Sequence, residues 1–329
     1  MARETIILKR NEIADQINVV DTIDAIEQAM GQFELGHDYL PPKAIYELPV
    51  GEPAWAACIT GFTNAANLLS IKVGQERSYN TERDLPTTNS WIACFEPVTG
   101  ELLMLCDGML PTMYRTAAAA AVGARHLARQ DSRVLAVIGV GQLGQQCVRA
   151  VHSVRDFQHI HIHDAMETMA EQVATQLSAE LNTPITVSSA QKACAEADVI
   201  VTATNSREAI VAADWVGPGT HISCMGSDMH EKIECEAELL PRCRIYADQI
   251  EHALQRGEVS QAVEKGVLEK TCHVGSLGQV INGSVPGRQN ETDITMFDGV
   301  GIGIQDTTVV RTIYDQAEQR GLGLRLAFS

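Results

Sequence analysis

The chain has 329 residues, of which 45% are hydrophobic and 20% charged, and its formal net charge is −17 at pH 7. That size and apolar content fit two domains, or one large domain with an insertion, and no long polar tract signals disorder. The acidic balance argues against nucleic acid and anionic membrane as partners.

Residues 11–35 carry apolar side chains at helical spacing (Ile13, Ile17, Val20, Ile23, Ile26, Met30, Phe33), which predicts one amphipathic helix ending near Gly36. Pro41 and Pro42 break that pattern. Strand-like runs follow at 43–48, 54–60, 68–73, 90–96 and 102–106, separated by Gly, Pro and Asn turns, and predict a mixed α+β domain. Arg115 and Thr116 then precede an alanine-rich helix over 117–129. From there the rhythm becomes strand and helix, with strands at 133–138, 159–163, 185–187, 198–202, 220–225 and 244–246. This is the pattern of an α/β, doubly wound parallel sheet. A last helix over 305–320 returns to the first domain. The expected domains are therefore 1–125 with 308–329, and 126–307.

The strand 133–138 runs straight into Gly139-Val-Gly-Gln-Leu-Gly144, and Asp164 follows twenty residues after the last glycine. A strand, a G-x-G-x-x-G turn, a helix start and a second strand ending in an acid form a dinucleotide cradle. Gly139 permits the tight turn, Gly141 admits the pyrophosphate to the backbone, and Gly144 lets the helix pack close. The unpaired N–H groups of the helix start face the phosphates. Asp164 is placed to accept from ribose hydroxyls. With no Arg or Lys in 164–167, the pattern favours NAD over NADP.

Other residues are open to two readings. Asp228, just past the strand 220–225, can be an acid/base group at the carboxyl edge of the sheet or a turn-capping aspartate. Arg115 can grip a substrate carboxylate or close an internal salt bridge. Lys72, at the end of an apolar run, is costly to bury without an anionic partner, but can also snorkel to water. His159, His161 and His163 share one strand face, where pleating offers no convergent cage, so no metal is expected. Nine scattered cysteines without a C-x-x-C pair read as reduced core fillers. The N-terminal apolar run is too short for a signal peptide and no stretch reaches membrane-span length, so the expected location is cytoplasmic.

Several stretches together resemble the ornithine cyclodeaminase/mu-crystallin family in its own order. They are Leu85-Pro-Thr-Thr-Asn89, Tyr114-Arg-Thr-Ala-Ala118, the glycine turn, Val199-Ile-Val-Thr-Ala-Thr204, Gly226-Ser-Asp228, Gly283-Ser-Val-Pro-Gly-Arg288 and the run from Thr295 to Asp306. The resemblance implies a Rossmann-type cofactor domain beside an N-terminal substrate and dimerisation domain. Asp228 and Lys72 are then catalytic, and Arg115 and Lys43 bind the substrate carboxylate. Cofactor contacts fall to Thr116, Gly139, Gly141, Gln142, Leu143, Gly144, Asp164, Thr202, Ala203, Thr204, Met225, Gly226, Ser227, Val300 and Gly301.

Lys43 stands where the cyclodeaminases carry arginine, and Ala54 replaces a polar residue nearby, which turns the reading away from ornithine. The resemblance implies an NAD-dependent homodimeric oxidoreductase that reduces a small imino acid, or a 2-oxo acid plus ammonia, to an L-amino acid. Arg77, Arg83 and His230 are candidates to read a second carboxylate, as a dicarboxylic imino acid would need. The alternatives are a cyclodeaminase converting ornithine to proline with bound NAD, and a ligand-binding protein of the mu-crystallin type.

Overall fold

The computed structural model describes residues 4–50, 54–227 and 229–328. The chain divides into two units, Met1–Arg115 with Ile302–Ser329 and Thr116–Gly301. Both divisions fall somewhat before the boundaries expected from sequence, at 125/126 and 307/308.

The first unit contains β1 (Thr5–Leu8), α1 (Arg10–Ala14), α2 (Val19–Phe33), β2 (Ala44–Glu47), β3 (Ala54–Thr63), β4 (Leu68–Arg77), β5 (Thr88–Phe95) and β6 (Leu102–Asp107). The helix α3 (Met109–Leu127) follows and contains the first division point. The strands form one mixed sheet that is completed after the second unit by β15 (Leu324–Leu326), and α10 (Gly303–Arg320) packs on β3, β4 and α2.

Two expectations change here. The single helix over 11–35 is two helices, because the Asn18 side chain caps α2 by accepting from the Asp21 N–H at 3.1 Å. And α3 begins at Met109, well before Ala117, so Arg115 lies inside the helix and not ahead of it. Asp107 Oδ1 caps this start, accepting from Met109 N at 3.0 Å and Leu110 N at 3.4 Å. Pro111 sits in the first turn, where a missing N–H leaves no intrahelical bond unmade.

The second unit contains β7 (Val134–Ile138), α4 (Gln142–His152), β8 (His159–His163), α5 (Glu167–Leu181), β9 (Ile185–Val187), α6 (Ala190–Glu196), β10 (Val199–Thr202) and β11 (His221–Cys224). It continues with β12 (Cys243–Ala247), α7 (Ile250–Ala253), α8 (Gly257–Glu264), β13 (His273–Ser276), α9 (Leu277–Ile281) and β14 (Ile294–Asp298). The chain then returns to the first unit with α10 (Gly303–Arg320) and β15 (Leu324–Leu326). The sheet order of the first unit is β15-β1-β6-β5-β4-β3-β2.

The eight strands of the second unit are all parallel, in the order β13-β12-β14-β11-β10-β7-β8-β9. The chain winds outward from β7 through β8 to β9 and then crosses back to β10 on the other side of β7, which makes the β7/β10 junction the switch point of a Rossmann-type fold. β10, β11 and β14 are buried along their whole length, as strands covered on both faces must be. Among the described residues no helix is long and apolar enough to cross a membrane.

Candidate active site

In the first unit, charge gathers on one face of β4. Lys72 is 4% exposed, and it lies mid-strand because β4 continues to Arg77, correcting its placement at a strand end. Its anionic partner comes from α10. That helix lies directly on β3: a Cβ added at Gly303 would meet Thr60 O at 2.2 Å, and one at Gly61 would meet Gly303 C at 2.3 Å. Thr307 fixes the contact, bonding Ser70 Oγ at 2.7 Å and donating to Gly61 O at 3.0 Å.

This docking carries Asp306, 1% exposed, to Lys72: Nζ lies 2.7 Å from Oδ2, an ion pair rather than a well-angled hydrogen bond. The other oxygen, Oδ1, accepts from Arg115 Nε at 3.1 Å, while Arg115 Nη1 donates to Gln305 Oε1 at 3.2 Å. Lys72 also donates to Thr112 Oγ1 at 3.2 Å.

Two buried cations thus share one buried carboxylate. Burial pulls the Lys72 ammonium down to about 8; Asp306 opposes this, while Arg115 and Lys43 add to it. For Asp306, burial pushes the carboxyl up, but Lys72 and Arg115 outweigh it and hold the group below the ordinary range. Lys43 is half-buried and close enough to act on Lys72 electrostatically.

The candidates for a second carboxylate are engaged elsewhere. Arg77 stands on the opposite face of β4 from Lys72 by strand alternation, and its Nη1 donates to the carbonyls of Trp55 and Glu76, each at 2.7 Å. Arg83 lies over the Tyr79 ring at 4.5 Å, and His230 sits at the surface 3.6 Å from Glu264.

In the second unit, the carboxyl edge of the sheet holds the glycine turn. Gly139 has φ +87°, where a Cβ would also meet Ala203 O at 2.7 Å, and a Cβ at Gly144 would strike Gly139 O. A Cβ at Gly141, by contrast, would enter open space. Gly141 caps α4, and Gln142 and Leu143 form its first turn, with Gly141 and Gln142 exposed. Asp164 follows β8 and braces the turn: Oδ2 accepts from Val140 N at 2.9 Å and Oδ1 from Met166 N at 3.0 Å.

Thr202, Ala203 and Thr204 leave β10 beside this turn, with Ala203 N donating to Ile138 O at 2.8 Å. Met225, Gly226 and Ser227 leave β11, and Met225 N donates to Thr202 O at 2.9 Å. Ser227 Oγ donates to Lys232 O at 2.6 Å. Val300 and Gly301 follow β14, where Gly301 N donates to Asp248 Oδ2 at 2.6 Å. Thr116 is buried in α3. Asp228 lies outside the described residues.

On β8, His161 meets Ser188 Oγ at 2.9 Å and Glu196 at 3.0 Å, His163 meets Ser188 O at 3.0 Å, and the His159 ring lies edge-on to that of His161 at 4.5 Å. Among the described residues no cluster of His, Cys, Asp and Glu could hold a metal ion.

Asp306, Gln305 and Glu234 are the site-forming residues that sequence reasoning missed. Glu234 takes the hydroxyls of Thr202 and Thr204 at 2.6 and 2.9 Å. The cost of burying Lys72 was a signal for an anionic partner, but it did not say which.

Comparison with known proteins identifies the family. A model of the ornithine cyclodeaminase/mu-crystallin family matches residues 3–321. The alanine dehydrogenase of Archaeoglobus fulgidus is 32% identical over 326 residues, covering 99% of each chain. An archaeal alanine dehydrogenase dimer with bound NAD has a TM-score of 0.94 at 30% identity, over 99% of this chain and 100% of that one. The iminosuccinate reductase of Paracoccus denitrificans in complex with NAD+ has a TM-score of 0.91 at 30% identity, over 98% of this chain and 99% of that one. The chain belongs to the ornithine cyclodeaminase/mu-crystallin family.

Proposed function

We propose that the protein is an NAD-dependent oxidoreductase that reduces a small imino acid, or a 2-oxo acid with ammonia, to an L-amino acid. The observation that carries this reading is the pair of buried cations, Lys72 and Arg115, sharing the single carboxylate of Asp306. The excess of positive charge among the described residues is suited to the carboxylate that every amino and imino acid carries. Arg115 and Lys43 hold that carboxylate. Lys72, lowered to about 8, is mostly protonated at neutral pH and near enough to its transition to orient the imine nitrogen or donate to it. Asp228 manages the proton at the reacting nitrogen.

The glycine turn, the open space at Gly141, the α4 N-terminus and the Asp164 carboxylate suit a dinucleotide. When bound, the nicotinamide supplies or accepts the hydride at the α-carbon. Asp164 favours NADH over NADPH, since a 2′-phosphate would meet its charge. The named activities of the Archaeoglobus and Paracoccus relatives point the same way.

The protein is also proposed to act as a homodimer built on the first unit. The face of its sheet away from α10 is apolar: Phe62, Leu69, Ile71, Val73, Trp91 and Phe95 share it by register, with Val73 39% and Trp91 46% exposed. A patch of this kind calls for a second copy, and the archaeal relative is described as a dimer.

The test is a panel of 2-oxo acids with ammonium or methylamine, including pyruvate and oxaloacetate, followed by NADH oxidation. NADH consumption with at least one of them is expected. Conversion of ornithine to proline with stoichiometric ammonia, and no NADH consumption with any 2-oxo acid, would overturn the reading in favour of a cyclodeaminase.

A further inference from the structure

Glu234 is fully buried in the second unit, and its carboxylate joins two loops. Oε2 accepts from the Thr202 hydroxyl at 2.6 Å and from Gly226 N at 2.9 Å. Oε1 accepts from Thr204 N at 2.6 Å and from the Thr204 hydroxyl at 2.9 Å. Thr202 ends β10, and Gly226 follows its neighbour β11, so a single side chain fixes the backbone where both strands reach the carboxyl edge. The approach is close: a Cβ at Gly226 would lie 2.5 Å from Glu234 Oε1 and 2.2 Å from Thr204 O.

Two further carboxylates hold Glu234 in place. Glu258, 1% exposed, accepts from Glu234 N at 2.7 Å and Cys235 N at 3.1 Å. Asp298, fully buried at the end of β14, accepts from Glu258 N at 3.3 Å and Val259 N at 3.2 Å, at the start of α8. Burying three carboxylates together is expensive, and a well-packed apolar filling would stabilise the interior at less cost. Burial pushes all three carboxyls up, Asp298 to about 8, so what they add is directional bonding to particular N–H and hydroxyl groups rather than net charge. For Glu234, those groups belong to the two loops beside the β7/β10 switch point.

We infer that Glu234 is a positioning residue for the dinucleotide, acting through the loops 202–204 and 225–227 whose spacing it sets. This rests on the NAD reading above. It assigns Glu234 no contact with cofactor or substrate; its part is to preset the loops before the cofactor arrives.

The experiment measures NADH and ADP-ribose affinity by equilibrium fluorescence titration, alongside steady-state kinetics, for wild type, Glu234→Gln and Thr202→Val. In Glu234→Gln an amide NH2 replaces one acceptor oxygen and faces the donors of one loop, and the NADH Kd is expected to rise by roughly 10- to 100-fold. The kcat at saturating NADH and the KM for the imino acid stay within about threefold of wild type, since the substrate groups belong to the other unit. ADP-ribose, which lacks the nicotinamide and reports on the glycine-turn side of the switch point, loses less than about threefold. A merely structural defect would weaken both ligands alike.

Thr202→Val removes one donor and spares the carboxylate, with an expected loss of about three- to tenfold in NADH affinity. If Glu234→Gln does not fold, Glu234→Asp, which keeps the carboxyl and shortens its reach, decides by the same split between NADH and ADP-ribose. Equal NADH affinity in the folded variants, or equal losses for NADH and ADP-ribose, overturns the inference alone. A wild-type protein that binds no NADH overturns the cofactor reading and the inference with it.

Discussion

The two units bury charge in opposite ways. In the first, cations are in excess among the described residues: Lys72 and Arg115 both close on Asp306. In the second, carboxylates are in excess: Glu234, Glu258 and Asp298 take backbone N–H groups and threonine hydroxyls. A buried cation pair with one counter-charge still attracts an anion, so it can bind. A buried carboxylate saturated by neutral donors has its bonds committed already, so it holds loops in place. In the proposed function the same costly device serves recognition in one unit, and in the inference above it serves scaffolding in the other.

The sharpest test of the recognition half is Asp228, the residue proposed to handle the proton. Asp228→Asn keeps size and removes the acid/base function, and turnover is expected to fall by about two to four orders of magnitude. A rate within about threefold of wild type in steady-state assays would make Asp228 a structural residue.

Removing the shared counter-charge breaks the comparison from the other side. Asp306→Asn leaves two buried cations together, and should cost about 3–5 kcal/mol in denaturant unfolding. The same change removes the interaction that holds Lys72 up, so its ammonium falls below about 8. If protonated Lys72 is required, the wild-type rate of imine reduction declines as pH rises through about 8, and the variant's decline begins at lower pH. An unmoved basic limb in the pH–rate profile would separate Lys72 from the reaction.

Arg115→Ala is expected to raise the KM for the imino acid by roughly 10- to 100-fold, from one lost charge-assisted contact. An unchanged KM would leave the excess positive charge without a substrate to bind.

The smallest effect belongs to the scaffolding unit. His221 is fully buried between Thr295 Oγ1 and Ser223 Oγ, both at 3.0 Å, and burial pulls its imidazole down to about 3. Its folded value lies below the ordinary 6.5, so the unfolded chain binds the proton first on acidification. The His221 contribution is therefore full above about pH 6.5 and is lost as pH falls toward about 3. Between pH 7 and 5 this amounts to about 2 kcal/mol. His221→Gln, compared with wild type by urea unfolding at the two pH values, should lack that part of the decline.

How much of this could be read from the sequence depended on range. The glycine turn and Asp164 form a local motif of fixed spacing, and the structure places both at the carboxyl edge of the sheet. Strands such as β7 and β10 were legible because burial on both faces writes a continuous apolar run. β1, β13 and β15 were not, since each lies on or next to a sheet edge and carries no continuous apolar run bounded by turn residues. The start of α3 was hidden because Pro111 reads as a breaker unless the Asp107 cap is known. Asp306 was hidden by distance: it meets Arg115 across 191 residues, and only because Gly61 and Gly303 let α10 rest on β3. No local pattern encodes such a meeting.

The central claim, that an imino acid is reduced at its α-carbon, is tested most directly by isotope transfer. The enzyme is supplied with NADH deuterated at C4 in the transferable position, together with a 2-oxo acid and ammonium that support turnover, and the amino acid is examined by mass spectrometry. One deuterium at the α-carbon, with one NADH consumed per product, is the expected result. Product without deuterium, or ornithine giving proline and ammonia with no net loss of NADH and no reduction of any 2-oxo acid, would contradict it.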